Sequence, residues 1–345
     1  MALPQHQGFG HGGRSAPFRL TQAPAAARGA ATAPLALVSA PRSADAARAG
    51  WCARAQLRFA CGPRGTRFQG GASAPLKLQR ATPLAEGRCE LPLLHTGGGL
   101  VGGDRLELDL ELEPGARVLL TTVAAQKVYG SVGRSRLSPE GRWARQQLAV
   151  RLAAGADLEW LPQELVLYAD GLYEQRQRVE LGPGASWLGA EVVRLGRTAA
   201  GEDLGRGRWR SLLEVRRLES DGARWELVER LELGGASLSD PHGLDGQPVL
   251  GALVWAAPEP MADGALAELL AAARADRAGL PGTMVCGPLA QGPLAQGLVA
   301  RYRGPSSQAA RYWFTRLWAR IRAVRGLAPP QLPRSWPFQE TPLAG

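Results

Sequence analysis

One segment constrains the fold more than any other: Leu106-Glu-Leu108-Asp-Leu110-Glu-Leu112. Strict alternation of leucine and acid has a period of two, so as a strand it turns leucines to a core and carboxylates to water. Pro114-Gly115 then turns the chain, and residues 117–123 return as a second, more apolar strand. The unit recurs. Leu112-Glu-Pro-Gly115-Ala116-Arg-Val118 lines up with Leu152-Ala-Ala-Gly155-Ala156-Asp-Leu158 and with Leu181-Gly-Pro-Gly184-Ala185-Ser-Trp187, and a shortened copy reads Leu233-Gly-Gly235-Ala236-Ser-Leu238. In each copy the glycine sits where a turn needs positive φ. The spacings are too irregular for a regular repeat family. They fit a mostly β protein of stacked antiparallel hairpins or sheets, either a sandwich or a β-helix-like stack.

Helical signals come only in the C-terminal third, where about two α-helices are expected. Asp263 is placed to cap one over residues 265–273, with Leu266, Leu269, Leu270 and Ala273 on one face. Residues 287–297 hold a tandem Gly-Pro-Leu-Ala-Gln duplication, read as a loop. Ser306 or Ser307 opens the second helix, which runs to Arg325 and stops at Gly326. Its apolar face is Ala310, Trp313, Phe314, Leu317, Ile321 and Val324, and Arg311, Arg316, Arg320, Arg322 and Arg325 decorate the remainder.

Residues 1–48 are rich in Ala, Pro and Gly without apolar periodicity, which is the composition of a disordered tail. They also contain Ser and Arg and no acid before Asp45, as a transit peptide would. One β-rich domain is expected over residues 49–338, with 339–345 a flexible end. The formal net charge is +10, but five Arg against one Asp in residues 1–50, and eight Arg against one Glu in 301–345, leave the body near neutral. Only Lys77 and Lys127 are lysines, so the arginine excess reads as codon bias and no nucleic-acid surface is expected. Four cysteines at 52, 61, 89 and 286 form no framework, which suits reduced thiols in a cytoplasmic protein. No apolar run approaches the ~20 residues a membrane helix needs, so no membrane partner is expected.

The richest local sequence is His95-Thr-Gly97-Gly98-Gly99-Leu-Val-Gly102-Gly103-Asp104. It contains G-x-G-x-x-G, but a dinucleotide fingerprint must enter a helix, and here the alternating strand follows. No Gly-Lys-Ser/Thr makes it a P-loop. What remains is a tight glycine turn that fixes Asp104 at the head of a strand. The histidines at 6, 11, 95 and 242 are scattered, so no His/Cys set has metal-ligand spacing. His95 and Asp104 can be drawn as an acid–base pair in a glycine-walled pocket, which is the small-molecule-enzyme alternative. Polar residues also sit inside apolar strand contexts: Gln126-Lys127, Gln163-Glu164, Glu191 and Glu229. Buried acids are unfavourable unless paired, hydrated or bound to cations.

These segments also form a familiar series. Leu94-His95-Thr-Gly-Gly98-Gly99-Leu-Val-Gly102-Gly103-Asp104, Thr121-Thr-Val-Ala-Ala-Gln126-Lys127-Val-Tyr129, Leu158-Glu-Trp-Leu-Pro162-Gln163-Glu164 and Leu195-Gly196-Arg197-Thr-Ala-Ala-Gly201-Glu202 occur in that order, ending in Pro333-Arg334-Ser-Trp336. Over residues 51–338 the chain resembles the urease accessory protein UreD (UreH) family. It departs in reading His-Thr-Gly-Gly where His-Pro-Pro-Gly is frequent, and in lacking an arginine between Tyr129 and Ser131. The resemblance implies a β-rich chaperone with no catalysis of its own, serving nickel insertion and metallocentre assembly in nitrogen metabolism. It implies urease apoprotein, UreF and, through UreF, the GTPase UreG as partners. It implies no tightly bound cofactor, only transient Ni²⁺ guided through an internal water-filled passage. Asp104, Glu191 and Glu229 match acids implicated in that passage, with Gln126 beside them. Spaced carboxylates in a wet channel attract Ni²⁺ without trapping it.

Overall fold

The computed structural model describes residues 50–220, 222–289 and 297–336. The expected tail (1–48), the flexible end (339–345) and the centre of the duplicated loop (290–296) lie outside the described residues. The chain opens with β1 (Cys52–Gly62), β2 (Gly65–Ala72), β3 (Leu76–Leu78), β4 (Thr82–Pro83) and β5 (Cys89–His95). Its middle holds β6 (Arg105–Leu112), β7 (Arg117–Thr122), β8 (Gln126–Val128), β9 (Ala144–Leu152), β10 (Asp157–Leu161) and β11 (Leu165–Leu167). Then come β12 (Leu172–Leu181), β13 (Ser186–Leu195), β14 (Arg208–Glu219), β15 (Gly222–Leu233) and β16 (Val249–Ala256). The last third adds α1 (Asp263–Ala275), β17 (Thr283–Pro288), β18 (Gly297–Gly304) and α2 (Ser307–Val324).

The alternating segment is β6, and its four leucines are buried while its acids face outward. The turn after it does not make a hairpin. Strand β6 lies in a seven-stranded sheet, β15-β14-β12-β9-β6-β1-β2, whereas β7 lies in an eleven-stranded sheet built on β17-β18-β16-β13-β10-β7-β5-β3. Each glycine turn is therefore an arch between two sheets, and successive arches stack in parallel. Leu112 pairs beside Leu152 and Leu152 beside Leu181 in the first sheet. Arg117, Asp157 and Ser186 align in the second. Gly115, Gly155 and Gly184 all take positive φ, and Ala116, Ala156 and Ala185 are wholly buried beneath them. The mostly β class and the β-helix-like stack are thus as expected, but the core pairing is parallel. Antiparallel pairs flank it, β1 with β2, β14 with β15, and β13 with β16. The shortened fourth copy leaves the stack: after Gly235 the chain enters a short 3₁₀ turn.

Two cores result. One fills the space between the sheets, and the second lies between the outer face of the eleven-stranded sheet and α1 and α2. The larger sheet is buried on both faces, which explains why every residue of β10 is buried, its acids Asp157 and Glu159 included, and why the middle of β7 is apolar without alternation. The free face of the smaller sheet is an Arg/Glu lattice, for example Arg145–Glu174 and Arg178–Glu214, that keeps it in water.

The helices correct three expectations. Asp263 is the first helical residue and Ala262 occupies the cap position, with no side-chain bond, whereas Ser306 does cap α2 by accepting from the Ala309 N–H at 3.1 Å. Val324, expected inward, is exposed. Arg322, expected in solvent, is buried. It bonds Glu159 at 2.9 Å and Glu86 at 3.1 Å, beside Arg88 and Arg325, which both bind Asp157. Three guanidiniums and three carboxylates thus pin α2 to β10 in one neutral buried network.

Candidate functional site

Pro162 sets the site in motion because it has no N–H to give a ladder. Pairing of β10 with β13 ends at Trp160–Gly189, and β11 resumes it only at Leu165–Val193. On the other side β7 and β10 part after Thr121–Leu161, and β8 and β11 rejoin at Gln126–Leu165. The eleven-stranded sheet therefore has a break bordered by residues 122–125, 162–164 and 190–192. Side chains patch its rim: the Gln163 N–H donates to Thr122 Oγ1 at 2.8 Å.

A cavity of about 320 Å³ lies between the sheets and reaches this break. Its walls gather motif residues from far apart in sequence: His95, Gly98, Gly99, Gln126, Lys127, Pro162, Gln163 and Glu191. The smaller sheet contributes Gln146, Tyr173, Gln175 and Gln177. Strand parity explains the glutamines, since residues 173, 175 and 177 share the inward face of β12 with the buried Val179 and Leu181. The sequence reading missed them, although that parity was a usable signal. A second space of about 20 Å³ behind the break shares Pro162, Ala190, Glu191 and Val192 with the first. Arg311 of α2 closes it, bonding Glu164 at 2.8 Å and Gln163, and stacking 5.0 Å from the Trp336 ring. Trp336 in turn donates to Thr121 Oγ1 at 2.7 Å, so the C-terminal motif seals the helix side of the break.

Glu191 is the carboxylate of this cavity. It accepts from Gln175 Nε2 at 2.5 Å. Burial pushes its carboxyl up to about 7; Gln175 pulls the other way, the neighbouring Glu229 adds to the rise, and Arg301 opposes it. Arg301 does not bond Glu191. It bridges the two sheets to Glu229 at 2.6 Å. Glu229 thus stands inward, opposite Leu213, but is paired and outside the cavity wall. Burial and then the Glu191 charge raise the phenol of Tyr173 as well.

Asp104 is buried but does not line the cavity. Its Oδ1 accepts from the Trp51 N–H at 2.8 Å and its Oδ2 from the Val101 N–H at 2.9 Å, locking the glycine turn onto the start of β1. Gly98 and Gly103 take φ of 75° and 104°. Gly99 lies against Tyr129 and the Lys127 carbonyl, and Gly102 against Ser131 and Arg142, with no room for a Cβ. His95 and Asp104 do not form the drawn acid–base pair: both imidazole nitrogens are buried without a protein partner. The Leu195–Glu202 motif braces the same end from outside. Gly196 turns at φ 78° and Gly201 at 70°. Arg197 pairs with Glu202 and covers the Tyr168 ring at 4.6 Å. Tyr168 meets Tyr129 edge-on, and the Tyr129 hydroxyl donates to the Gly98 carbonyl at 3.2 Å. Among the described residues no three His, Cys, Asp or Glu side chains converge to hold a metal ion, and no helix is long and apolar enough to cross a membrane.

A two-sheeted β-helix enclosing a polar space with one carboxylate, Glu191, in its wall defines the architecture. Residues 52–337 match the family described as UreD urease accessory protein. The chain is 60% identical over 295 residues to "Urease accessory protein UreD" of Parasynechococcus marenigrum (strain WH8102), covering 86% of this chain and 93% of that protein. It is 59% identical over 293 residues to the protein so named in Synechococcus sp. (strain CC9605), covering 85% and 93%. For that of Prochlorococcus marinus (strain MIT 9303) the identity is 58% over 275 residues, covering 80% and 90%. The chain belongs to the UreD family of urease accessory proteins. It serves urease maturation, in interaction with urease components, and is not an enzyme.

Proposed function

We propose that this chain guides Ni²⁺ to urease, the ion crossing the cavity between its two sheets while the scaffold is held against urease apoprotein, UreF and, through UreF, UreG in the cytoplasm. One observation carries the reading: Glu191 is a half-buried carboxylate with no guanidinium bonded to it, placed where the cavity meets the break in the larger sheet. Its carboxyl sits near neutrality, so proton and divalent cation compete for it under physiological conditions. A paired carboxylate would have no charge to offer, and a cluster of His and Cys would not let the ion go. Gln146, Gln175 and Gln177 supply neutral oxygens that solvate an ion without adding a trap. Glu229 tunes the field at Glu191 from its bridge with Arg301. Nickel is cargo here, and no tightly bound cofactor is assigned.

Glu191→Gln tests this. The variant should still co-purify with urease apoprotein and UreF, while the nickel content of urease from the same cells falls severalfold. Normal nickel loading by a stably expressed variant would refute the passage.

A further inference from the structure

Several polar side chains around the glycine turn are satisfied within the protein. Asp104 is held by two backbone N–H groups, the Thr96 hydroxyl by the Pro75 carbonyl, the Tyr129 hydroxyl by Gly98, and the Gln126 amide by the Lys127 carbonyl. His95, at the end of β5, has Nδ1 and Nε2 both out of bulk solvent and both unbonded to protein, and among the cavity's other side chains Gln163 Nε2 is likewise unbonded. A neutral imidazole carries one donor and one acceptor, and leaving either unmet in a buried place costs about 1–3 kcal/mol. The ring is not simply tucked into a core: it forms part of the wall of the cavity that Glu191 also lines. A water or an ion in that cavity is what can meet its lone pair.

Given the cation passage argued above, on which this rests, we propose that His95 is a direct ligand of the divalent cargo: the nitrogen donor at the glycine-turn end of a cavity that also carries the oxygen donor Glu191. Burial lowers the basicity of the ring, with the Asp104 charge opposing. Imidazole suits a divalent ion of nickel's softness better than carboxylate alone, and a single such ligand holds the ion only in passing. Asp104 then acts indirectly, because its two backbone bonds fix the turn against which His95 stands.

The test uses the full-length chain with isotope-labelled histidine, titrated with Ni²⁺ alone and followed by NMR. His95→Phe, which keeps a ring in the same space, assigns the signal. Histidines 6, 11 and 242 are internal controls. Paramagnetic broadening of the His95 signal should appear at substoichiometric Ni²⁺, and Glu191→Gln should weaken it. In cells, His95→Phe should lower urease nickel by at least about tenfold at unchanged thermal stability and unchanged co-purification with urease. A His95 signal indifferent to Ni²⁺ would overturn the assignment, even if the Phe variant failed to fold. Nickel loss in Glu191→Gln but not in a folded His95→Phe would sink His95 and leave the passage standing. No loss in either would sink both.

Discussion

Glu191→Gln should make the folded chain more stable, and only at high pH. The folded carboxyl titrates at about 7 because it is buried, whereas an unfolded glutamate titrates near ~4.3. A raised folded value means that between the two values the folded state holds a proton the unfolded state has released, so stability falls as pH rises towards 7 and levels off above it. Below the unfolded value both states are protonated and the penalty vanishes. A gap of roughly 2.7 pH units at ~1.4 kcal/mol per unit sets an upper bound of about 3.8 kcal/mol, and water in the cavity reduces it, so a gain between about 1 and 3 kcal/mol is expected at pH 8. The amide substitute is nearly isosteric and keeps an oxygen to accept from Gln175. Urea denaturation followed by tryptophan fluorescence from pH 4 to 8.5 would measure it. The variant's advantage should be largest at pH 8, shrink through pH 7 and approach zero near pH 4. An advantage independent of pH, or a less stable variant at pH 8, would refute the claim that Glu191 is held ionised against its burial.

Three further outcomes follow from the same reasoning. Arg322→Met should cost about 3–5 kcal/mol because Glu159 and Glu86 lose their shared cation, whereas Arg320→Met, at an exposed bridge to Asp276, should change urea midpoints by less than about 1 kcal/mol. Asp157 is pushed up by burial, but Arg88 and Arg325 outweigh that and hold its carboxyl below the ordinary range. Its stabilisation is therefore present above pH ~4 and lost as pH falls further, and Asp157→Asn should flatten the acid limb of a stability–pH curve. Asp104→Ala removes the acceptor of two part-buried N–H groups and should cost about 1–3 kcal/mol. Gly98→Ala should cost only the ~1–2 kcal/mol of its left-handed φ, because a Cβ there meets nothing, and a thermal melt of the two variants would rank them.

Much of the chemistry was legible because it is local. Gly98 and Gly103 announce a turn that a β-carbon would strain, Ser306 announces a helix start, and Trp313, Phe314 and Leu317 announce the face that packs. Asp104 was legible as important, but its partners, the N–H groups of Trp51 and Val101, belong to backbone that no residue pattern reports. Arg322 and Arg311 read as solvated helix arginines because their acids, Glu159 and Glu164, lie about 150 residues away in sequence.

What the sequence determined by itself was periodicity and turns: leucine every second residue in β6, and a glycine-alanine corner recurring after Leu112, Leu152 and Leu181. Those features require strands and bends. They do not say whether the chain after a bend pairs with the strand it left or crosses to a second sheet. Tertiary structure decided for the crossing. The fully buried Ala116, Ala156 and Ala185 stack corner on corner, and β7, β10 and β13 are largely buried on both faces, which a two-faced burial between the first sheet and the helices satisfies and a hairpin would not. The cavity is a consequence of that choice. Only when the corners stack does the gap left by Pro162 line up with Gln126, Glu191 and His95, and a site appear that no stretch of the chain contains.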